Sequence, residues 1–139
     1  MKIYLYFIGK PKDPHANAIA ADFVARASRY APCEMREIRA ERFDLWERHP
    51  AARKILLDPS AKPMDSNAFS RTIAKAEMEG RDLVFLIGGH DGHPTGWKER
   101  ADQLISLSAM TFPHELARAM LAEQLYRAFA ILRNHPYIR

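Results

Sequence analysis

Four short apolar runs, and one segment in which apolar and polar residues alternate poorly, are separated by longer segments in which apolar residues recur every three or four positions. The apolar runs lie at Lys2 to Gly9, Ile55 to Leu57, Leu83 to Ile87 and Leu104 to Leu107, and the poorly alternating segment lies at Cys33 to Ile38. Runs of this length, rich in Ile, Leu, Val, Tyr and Phe, predict strands, and Cys33 to Ile38 is a plausible further strand. The nearly continuous apolarity of the first run is typical of a strand buried on both faces of a parallel sheet.

The longer segments predict helices. Asp13-Pro14 is a favourable helix start, with Asp as the cap and Pro at the first helical position. Residues with helical spacing predict the apolar face of this first helix: Ile19, Phe23, Ala27 and Tyr30. A second helix is expected from about Asn67 to Glu79, capped by Asp65 or Ser66 and ended by Gly80.

The second half of the chain predicts a short helix from Trp97 to Asp102 and a long final helix that ends near Arg133. The apolar stripe expected on the final helix comprises Leu116, Met120, Leu121, Leu125, Phe129 and Leu132. The charged stretch from Arg39 to Arg53 is compatible with either a short helix or a loop.

Strands that alternate with helices predict one α/β domain over residues 1–139, with a mainly parallel sheet flanked by helices. Ligands of such sheets bind beyond the carboxyl ends of the strands. This rule points to Leu57-Asp58, to Gly88-Gly89 and to the segment from Ser108 to Pro113.

Composition adds a few constraints. A chain of 139 residues is close to the size of one ordinary domain. The only cysteine, Cys33, cannot form an internal disulfide, so we expect a cytoplasmic protein. No apolar run approaches the roughly 20 residues that a membrane helix needs, so no membrane partner is expected. Twenty-one basic against 17 acidic residues give a net charge of +4, which by itself is weak support for nucleic-acid binding.

The glycine pair Gly88-Gly89 allows a ligand to approach the backbone, although a tight turn would also explain it. The chain has neither the GxGxxG pattern of dinucleotide-binding folds nor a P-loop. His90, Asp91 and His93 match no strong zinc spacing, so exposed loop residues are the favoured interpretation and no metal is expected.

Hydroxyl groups at Ser106, Ser108 and Thr111 could surround a ligand, and Thr111 could instead cap the final helix. The GxSxG pattern of serine hydrolases is absent. On the final helix, Glu123 and Arg127 have the spacing of an exposed ion pair.

Four segments together carry a family resemblance. Their sequences are LIGG at 86–89, SLSAMTFPH at 106–114, AEQLYRA at 122–128 and NHPY at 134–137. In order and spacing they resemble the RlmH family, the ribosomal RNA large-subunit methyltransferases H of the SPOUT class. The segment from Leu57 to Asp65 also resembles the family pattern, with Ala61 where glycine is usual.

The resemblance implies a SPOUT-type fold with a C-terminal trefoil knot, a homodimer, and S-adenosylmethionine as cofactor. It implies methylation at N3 of a pseudouridine, position 1915, in helix 69 of 23S rRNA within the assembled ribosome. Carried over residue by residue, the implied cofactor-binding positions are Leu57, Gly88, Gly89, Ser108, Ala109, Met110, Thr111, Phe112 and Pro113.

The chain departs from the family at three places. The segment between Ile38 and Ile55 is shorter than in many relatives, His90-Asp91-Gly92-His93 replaces a more usual Pro-Glu-Gly, and Ile138 occupies a position where His is frequent. His135 is therefore our candidate for the base or proton relay, with a tail-anchoring hydrogen bond as the alternative role. We expect Arg139 to stabilise developing negative charge, and Tyr137 and His114 to position the base or the tail.

Candidate RNA contacts are Lys10, Lys12, Arg118, Arg133 and Arg139. The segment from Phe112 to Arg139 holds four Arg against two Glu, which predicts local positive charge beside the cofactor loop. Two other functions stay open: a non-catalytic ribosome-binding or assembly factor that retains the fold, and an enzyme that uses the same cofactor on a different RNA base.

Overall fold

The computed structural model describes residues 1–138, and its centre is a five-stranded sheet. The strands are β1 (Ile3–Phe7), β2 (Cys33–Glu37), β3 (Arg53–Leu57), β4 (Leu83–Ile87) and β5 (Gln103–Ile105). Their order is β2-β1-β4-β3-β5, and all four pairings between them are parallel. The predicted α/β architecture with a parallel sheet is confirmed.

The helices are α1 (Pro14–Ala27), α2 (Leu45–Arg48), α3 (Ser66–Glu79), α4 (Trp97–Arg100) and α5 (His114–Leu132), and a 3₁₀ turn follows at Pro136–Ile138. Side chains alternate across the sheet, so Leu5 and Phe85 pack beneath the three long helices. Tyr6 and Leu86 face the opposite layer, which contains α2 and α4. The described chain therefore forms three layers, with the long helices α1, α3 and α5 together on one face.

Side-chain caps hold the helix starts where the sequence predicts them. The Asp13 carboxylate accepts hydrogen bonds from the backbone N–H groups of His15 and Ala16, at 2.9 and 3.1 Å. Asp65, rather than Ser66, caps α3 by accepting from the N–H of Ala68 at 2.7 Å. Gly80 ends α3 in the left-handed conformation, with φ of +64°, which favours glycine.

The stretch from Arg39 to Arg53, for which the sequence allowed either a short helix or a loop, contains the single-turn helix α2. Asp44 caps it by accepting from the N–H groups of Trp46 and Glu47. Leu45 is fully buried against the second sheet face, and this contact holds so short a helix in place.

The predicted apolar faces of α1 and α5 are wrong at one position each. Ile19 of α1 is 49% exposed and Leu116 of α5 is 44% exposed. Ala20 of α1 instead packs against Ala119 and Ala122 of α5. Because small side chains let the two helices approach closely, the alanine face of α1 turns inward and the larger Ile19 points to solvent.

Several element bounds are narrower than predicted. The first strand ends at Phe7, since the segment beyond it turns away to meet α5. The last strand ends at Ile105, because Ser106 already turns its hydroxyl onto the carbonyl of Ser108. Helix α4 ends at Arg100, and Asp102 lies outside it. Within residues 1–138, no helix is long and apolar enough to cross a membrane.

Candidate functional site

A cavity of about 530 Å³ lies beyond the carboxyl ends of β3, β4 and β5. Three loops form its wall: the first follows Leu57, the second follows Ile87 and the third follows Ile105. This is where parallel sheets bind ligands, and the volume is within the ~300–1,000 Å³ range of small-molecule sites. The implied cofactor positions that line it are Leu57, Gly88, Gly89, Ser108, Met110, Thr111, Phe112 and Pro113. Ala109 is not among the lining residues.

The second loop approaches other backbone closely at two glycines. A Cβ atom at Gly89 would lie 2.9 Å from the carbonyl oxygen of Ile8, and one at Gly88 would lie 3.0 Å from the carbonyl carbon of Gly92. Both contacts are with backbone atoms and not with a flexible side chain, so a larger residue at either position would require the backbone to move. The glycine pair therefore serves close packing around the cavity as well as the turn.

A charged pair lies at the rim of the cavity. Asp58 is buried, and its carboxylate accepts a hydrogen bond from the Ser60 hydroxyl and pairs with the Lys98 ammonium at 2.9 Å. Burial alone would raise the pKa of Asp58, but Lys98 and Ser60 outweigh it and lower the pKa below its usual value. Lys98 was missed from the sequence because it follows Asp58 by 40 residues and has no motif around it.

His93 contributes a buried, directional group to the same wall. Its Nε2 lies 2.6 Å from the carbonyl oxygen of Leu57, which can only accept, so Nε2 carries the proton. Nδ1 is buried without a hydrogen-bond partner in residues 1–138. Burial lowers the pKa of His93, which favours the neutral ring with Nδ1 as an acceptor. The loop interpretation of His93 as a solvent-exposed residue is therefore wrong.

Metal binding finds no support in the same loop. No group of three or more His, Cys, Asp or Glu side chains within residues 1–138 could hold a metal ion. His90 and Asp91 are exposed.

The third loop is held by its own hydroxyl groups. The Ser106 hydroxyl donates to the carbonyl of Ser108 at 2.7 Å, and the Ser108 hydroxyl accepts from the N–H of Met110 at 3.0 Å. Thr111 does not cap α5, since the helix begins at His114 with Pro113 at its cap position and no side-chain cap bond. His114 lines the cavity from the first turn of α5.

Behind this turn lies the fully buried guanidinium of Arg118. Its Nη2 donates to the carbonyl oxygens of Ile8 and Gly9, at 3.3 and 3.2 Å, and its Cζ lies 3.9 Å from the ring centroid of Phe7. Nε and Nη1 have no partner within residues 1–138. Arg118 is therefore wrong as a candidate RNA contact. It holds the segment after β1 instead.

Glu115 holds the same segment from the other side. Its carboxylate accepts hydrogen bonds from the backbone N–H groups of Lys12 and Asp13, at 2.7 and 2.6 Å. Burial would raise the pKa of Glu115, but these two N–H groups and the nearby Arg118 lower it overall. Glu115 and Arg118 together, here called the α5 clamp, tie residues 8–13 to the helix that bears His114.

The tail residues lie away from the cavity of their own chain. The Tyr137 hydroxyl donates to the Glu123 carboxylate at 2.5 Å, and the Tyr137 N–H donates to His135 Nδ1 at 3.1 Å. Neither His135 nor Tyr137 lines the cavity. Burial, reinforced by the bond to Glu123, raises the pKa of Tyr137 to about 12. Arg139 lies outside the described residues.

The predicted positive charge of the last helix is largely compensated. Arg127 pairs with Glu123 at 2.7 Å, and Arg133 pairs with Glu77. The Glu123–Arg127 pair is confirmed, although it is half-buried rather than exposed. Because Arg118 is also buried, the described part of α5 presents little free positive charge.

Comparison with known proteins shows the family to which this chain belongs. A family model described as "Predicted SPOUT methyltransferase" matches residues 1–137. A protein of Solibacter usitatus, named ribosomal RNA large subunit methyltransferase H, is 79% identical over 139 residues and covers all of both chains. This chain belongs to the SPOUT methyltransferases of the RlmH family.

More distant relatives carry the same name. The RlmH protein of Pelobacter propionicus is 36% identical, with 99% of each chain covered. That of a Thermus thermophilus strain is 34% identical and is matched over 100% of this chain and 99% of its own. The family resemblance noted in the sequence is confirmed.

Solved structures share the fold at low identity. A probable methylase family protein of Haemophilus influenzae superposes with a TM-score of 0.58 at 11% identity, over 95% of this chain and 66% of its own. The A. aeolicus TrmH/SpoU tRNA modifying enzyme gives 0.56 at 8% identity, over 96% of this chain and 78% of its own. This member of the RlmH family thus has the SPOUT-type α/β fold, and it spans only part of these larger neighbours.

Proposed function

We propose that this chain transfers a methyl group from S-adenosylmethionine to N3 of a pseudouridine in helix 69 of 23S rRNA, within the assembled ribosome. The observation that carries the proposal is the cavity of about 530 Å³ at the carboxyl ends of β3, β4 and β5. It lies in a chain that is 79% identical over its whole length to a protein named as a large-subunit rRNA methyltransferase. The expected setting is the cytoplasm, where ribosomes are found.

The residues of the cavity fit such a cofactor. Gly88 and Gly89 leave the wall free of side chains, Phe112 offers an apolar surface, and His93 Nδ1 is a buried acceptor without a partner in residues 1–138. When bound, S-adenosylmethionine supplies an electrophilic methyl group on a sulfonium. The three loops would hold it in line with the target nitrogen, and orientation of this kind can lower a barrier by roughly 7–11 kcal/mol in ideal cases.

The target nitrogen carries a proton, so the protein must remove it or stabilise the anion. His135 is the proposed base or relay, and Arg139, which lies outside the described residues, is proposed to stabilise the negative charge. His114 already lines the cavity, where it can position the base. Tyr137 is proposed to position the tail, because its hydroxyl and N–H bind Glu123 and His135.

His135 and Tyr137 lie outside the cavity of their own chain, so the proposal requires a homodimer in which one tail reaches the partner's cavity. The trefoil knot expected of the family belongs to the same proposal. It would bring the third loop and α5 together around the cofactor.

Mass mapping of 23S rRNA tests the reaction. Ribosomes from a strain lacking this gene should gain one methyl group, on the helix 69 pseudouridine, after incubation with the purified protein and S-adenosylmethionine. A methyl group at another base would replace this substrate with a different RNA site. No binding of S-adenosylmethionine by calorimetry would favour a non-catalytic ribosome-binding or assembly factor.

Mixed dimers test the shared site. Subunits carrying His135→Ala and subunits carrying Gly89→Val are each expected to be inactive alone. Mixed at random, half of the dimers contain one of each, and each such dimer has one intact site. Activity should therefore recover to about a quarter of the wild-type value, as a two-fold dimer requires. A mixture as inactive as its components would contradict a tail that acts on the partner's cavity.

A further inference from the structure

A second concave surface lies between α3 and the amino-terminal ends of β3 and β5, at the edge of the sheet. We call it the basic cleft, and its volume is about 330 Å³. Its charged residues are Arg53, Arg71, Lys75, Arg81 and Glu79. Four cations therefore face one carboxylate in a hollow that shares no lining residue with the cofactor cavity.

None of these four cations forms an ion pair within residues 1–138. Arg53 donates from Nη2 to the Gln103 side-chain oxygen at 3.0 Å, and Arg81 donates from Nε to the carbonyl of Ala51 at 3.1 Å. These bonds orient two guanidinium groups without neutralising them. By contrast, Arg118, which was predicted to contact RNA, is buried, and Arg133, also predicted, is paired with Glu77.

Arg71 and Lys75 are exposed and four residues apart on α3, so the two like charges are neighbours on one helix face. Like charges at this spacing destabilise a helix. An anionic ligand would remove that repulsion, and guanidinium groups are well suited to phosphate because they bind it through two parallel hydrogen bonds.

The basic cleft and the cofactor cavity lie at opposite ends of strand β3. Arg53 begins β3, and Leu57, at the end of the same strand, lines the cavity. Four residues of strand span about 13 Å at ~3.3 Å each. In double-stranded DNA each strand carries one phosphate per ~3.4 Å of helix axis, and at that spacing the distance corresponds to about four phosphates.

We propose that the basic cleft binds phosphate groups of the RNA whose target base enters the cavity, a few nucleotides away from that base. This inference rests on the proposed function, from which it takes the identity of the RNA. It assigns the electrostatic contact to α3 and the edge of the sheet, in place of α5.

The test removes two cations and measures binding to ribosomes. In the variant Arg71→Gln/Lys75→Gln, Gln keeps good helix propensity, so the fold should be retained. Cosedimentation with ribosomes across a salt series should show roughly tenfold weaker binding at low salt. The slope of log affinity against log salt should fall by about 0.7–0.9 for each cation lost. Binding of S-adenosylmethionine and the turnover rate at saturating ribosomes should be unchanged.

Arg39→Gln/Arg42→Gln is the matched control, because it removes two exposed arginines that follow β2, the strand at the opposite edge of the sheet. It should bind ribosomes like the wild type. Equal losses in both variants would mean a general effect of net charge, and an unchanged slope in the Arg71/Lys75 variant would mean no phosphate contact. Either result overturns the inference.

The readouts also separate this inference from the proposed reaction. If ribosome binding depends on the basic cleft but the wild type transfers no methyl group, the proposed reaction is contradicted and the role of the basic cleft is supported. If the wild type transfers the methyl group and neither transfer nor ribosome binding changes on substitution of Arg71 and Lys75, the role of the basic cleft is contradicted and the proposed reaction is supported.

Discussion

The two halves of α5 carry charged residues at similar spacings and use them in different ways. In the first half, Glu115 and Arg118 are buried and bind the backbone of residues 8–13. In the second half, Glu123 and Arg127 pair with each other on a half-buried surface and contact the tail through Tyr137. The first half organises the core beside the cavity, whereas the second half holds a terminal segment.

Burial, rather than charge or spacing, makes this difference. A buried guanidinium that binds carbonyl groups cannot be removed without leaving those carbonyls unsatisfied. A partly exposed ion pair can be replaced by water at little cost. We therefore expect substitutions to have effects that decline from the first half of the helix to the second half.

The largest effect is expected for Arg118→Ala. The substitution leaves the Ile8 and Gly9 carbonyls without their donor and opens a cavity beside Phe7, so the free energy of unfolding should fall by about 3 kcal/mol or more. Urea denaturation measures it. Arg127→Ala, on the same helix, is the control and should cost about 1 kcal/mol or less. Equal losses in the two variants would contradict the contrast between the two halves of α5.

Arg118→Met refines the same prediction. Methionine fills much of the volume and removes the two unpaired nitrogen atoms, Nε and Nη1, so it should recover part of the stability lost in the alanine variant. It cannot hold the two carbonyls, so S-adenosylmethionine should still bind more weakly than to the wild type. Wild-type cofactor affinity in Arg118→Met would show that the α5 clamp does not shape the cavity.

The next effect is expected at Gly89, where the cavity wall meets the segment held by the α5 clamp. In Gly89→Ala, the new Cβ would meet the Ile8 carbonyl oxygen at 2.9 Å, and that oxygen is already bound by Arg118. We expect the affinity for S-adenosylmethionine to fall about tenfold, or ~1.4 kcal/mol, as measured by calorimetry. Unchanged affinity would mean that the wall yields without disturbing the site.

The smallest effect is expected for Tyr137→Phe, which removes the bond to Glu123 and should cost about 1 kcal/mol or less near neutral pH. The pKa of Tyr137 is raised to about 12 in the folded protein, above the ~10 of an unfolded chain. The folded state therefore holds this proton more tightly, and the associated stability is lost as the pH rises from about 10 to about 12.

Denaturation at neutral pH and at about pH 11 checks this sign, since the stability gap between the wild type and Tyr137→Phe should narrow as Tyr137 ionises. Tyr126→Phe is the control, because the Tyr126 hydroxyl forms no hydrogen bond within residues 1–138 while its ring packs beside Tyr137. A gap that widens at alkaline pH would contradict the hydrogen bond to Glu123.

Local patterns predicted the elements of the fold because each strand and helix carries its own start, stop and periodicity. Asp13, Asp65 and Gly80 act within a few residues of themselves, and all three serve as predicted. Helix faces were less predictable. The exposure of Ile19 follows from the alanines of α5, which lie about a hundred residues further along the chain.

The candidate site was likewise predictable in part. The rule that ligands bind at the carboxyl ends of parallel strands led to three loops that do surround a cavity. It could not reveal that Lys98 reaches Asp58 or that Arg118 turns inward, because both depend on how distant segments pack. An arginine on a helix looks like a surface residue until its depth is known.

The Ile8 carbonyl oxygen faces two neighbours, Gly89 in the cavity wall and Arg118 in α5. A backbone atom shared in this way makes the two positions energetically dependent on one another. A double-mutant cycle of Gly89→Ala and Arg118→Met should accordingly be non-additive, with a smaller combined loss of cofactor affinity than the sum of the single losses. For protein engineering, Arg118 is then the first residue to substitute when a larger side chain is wanted at residue 89.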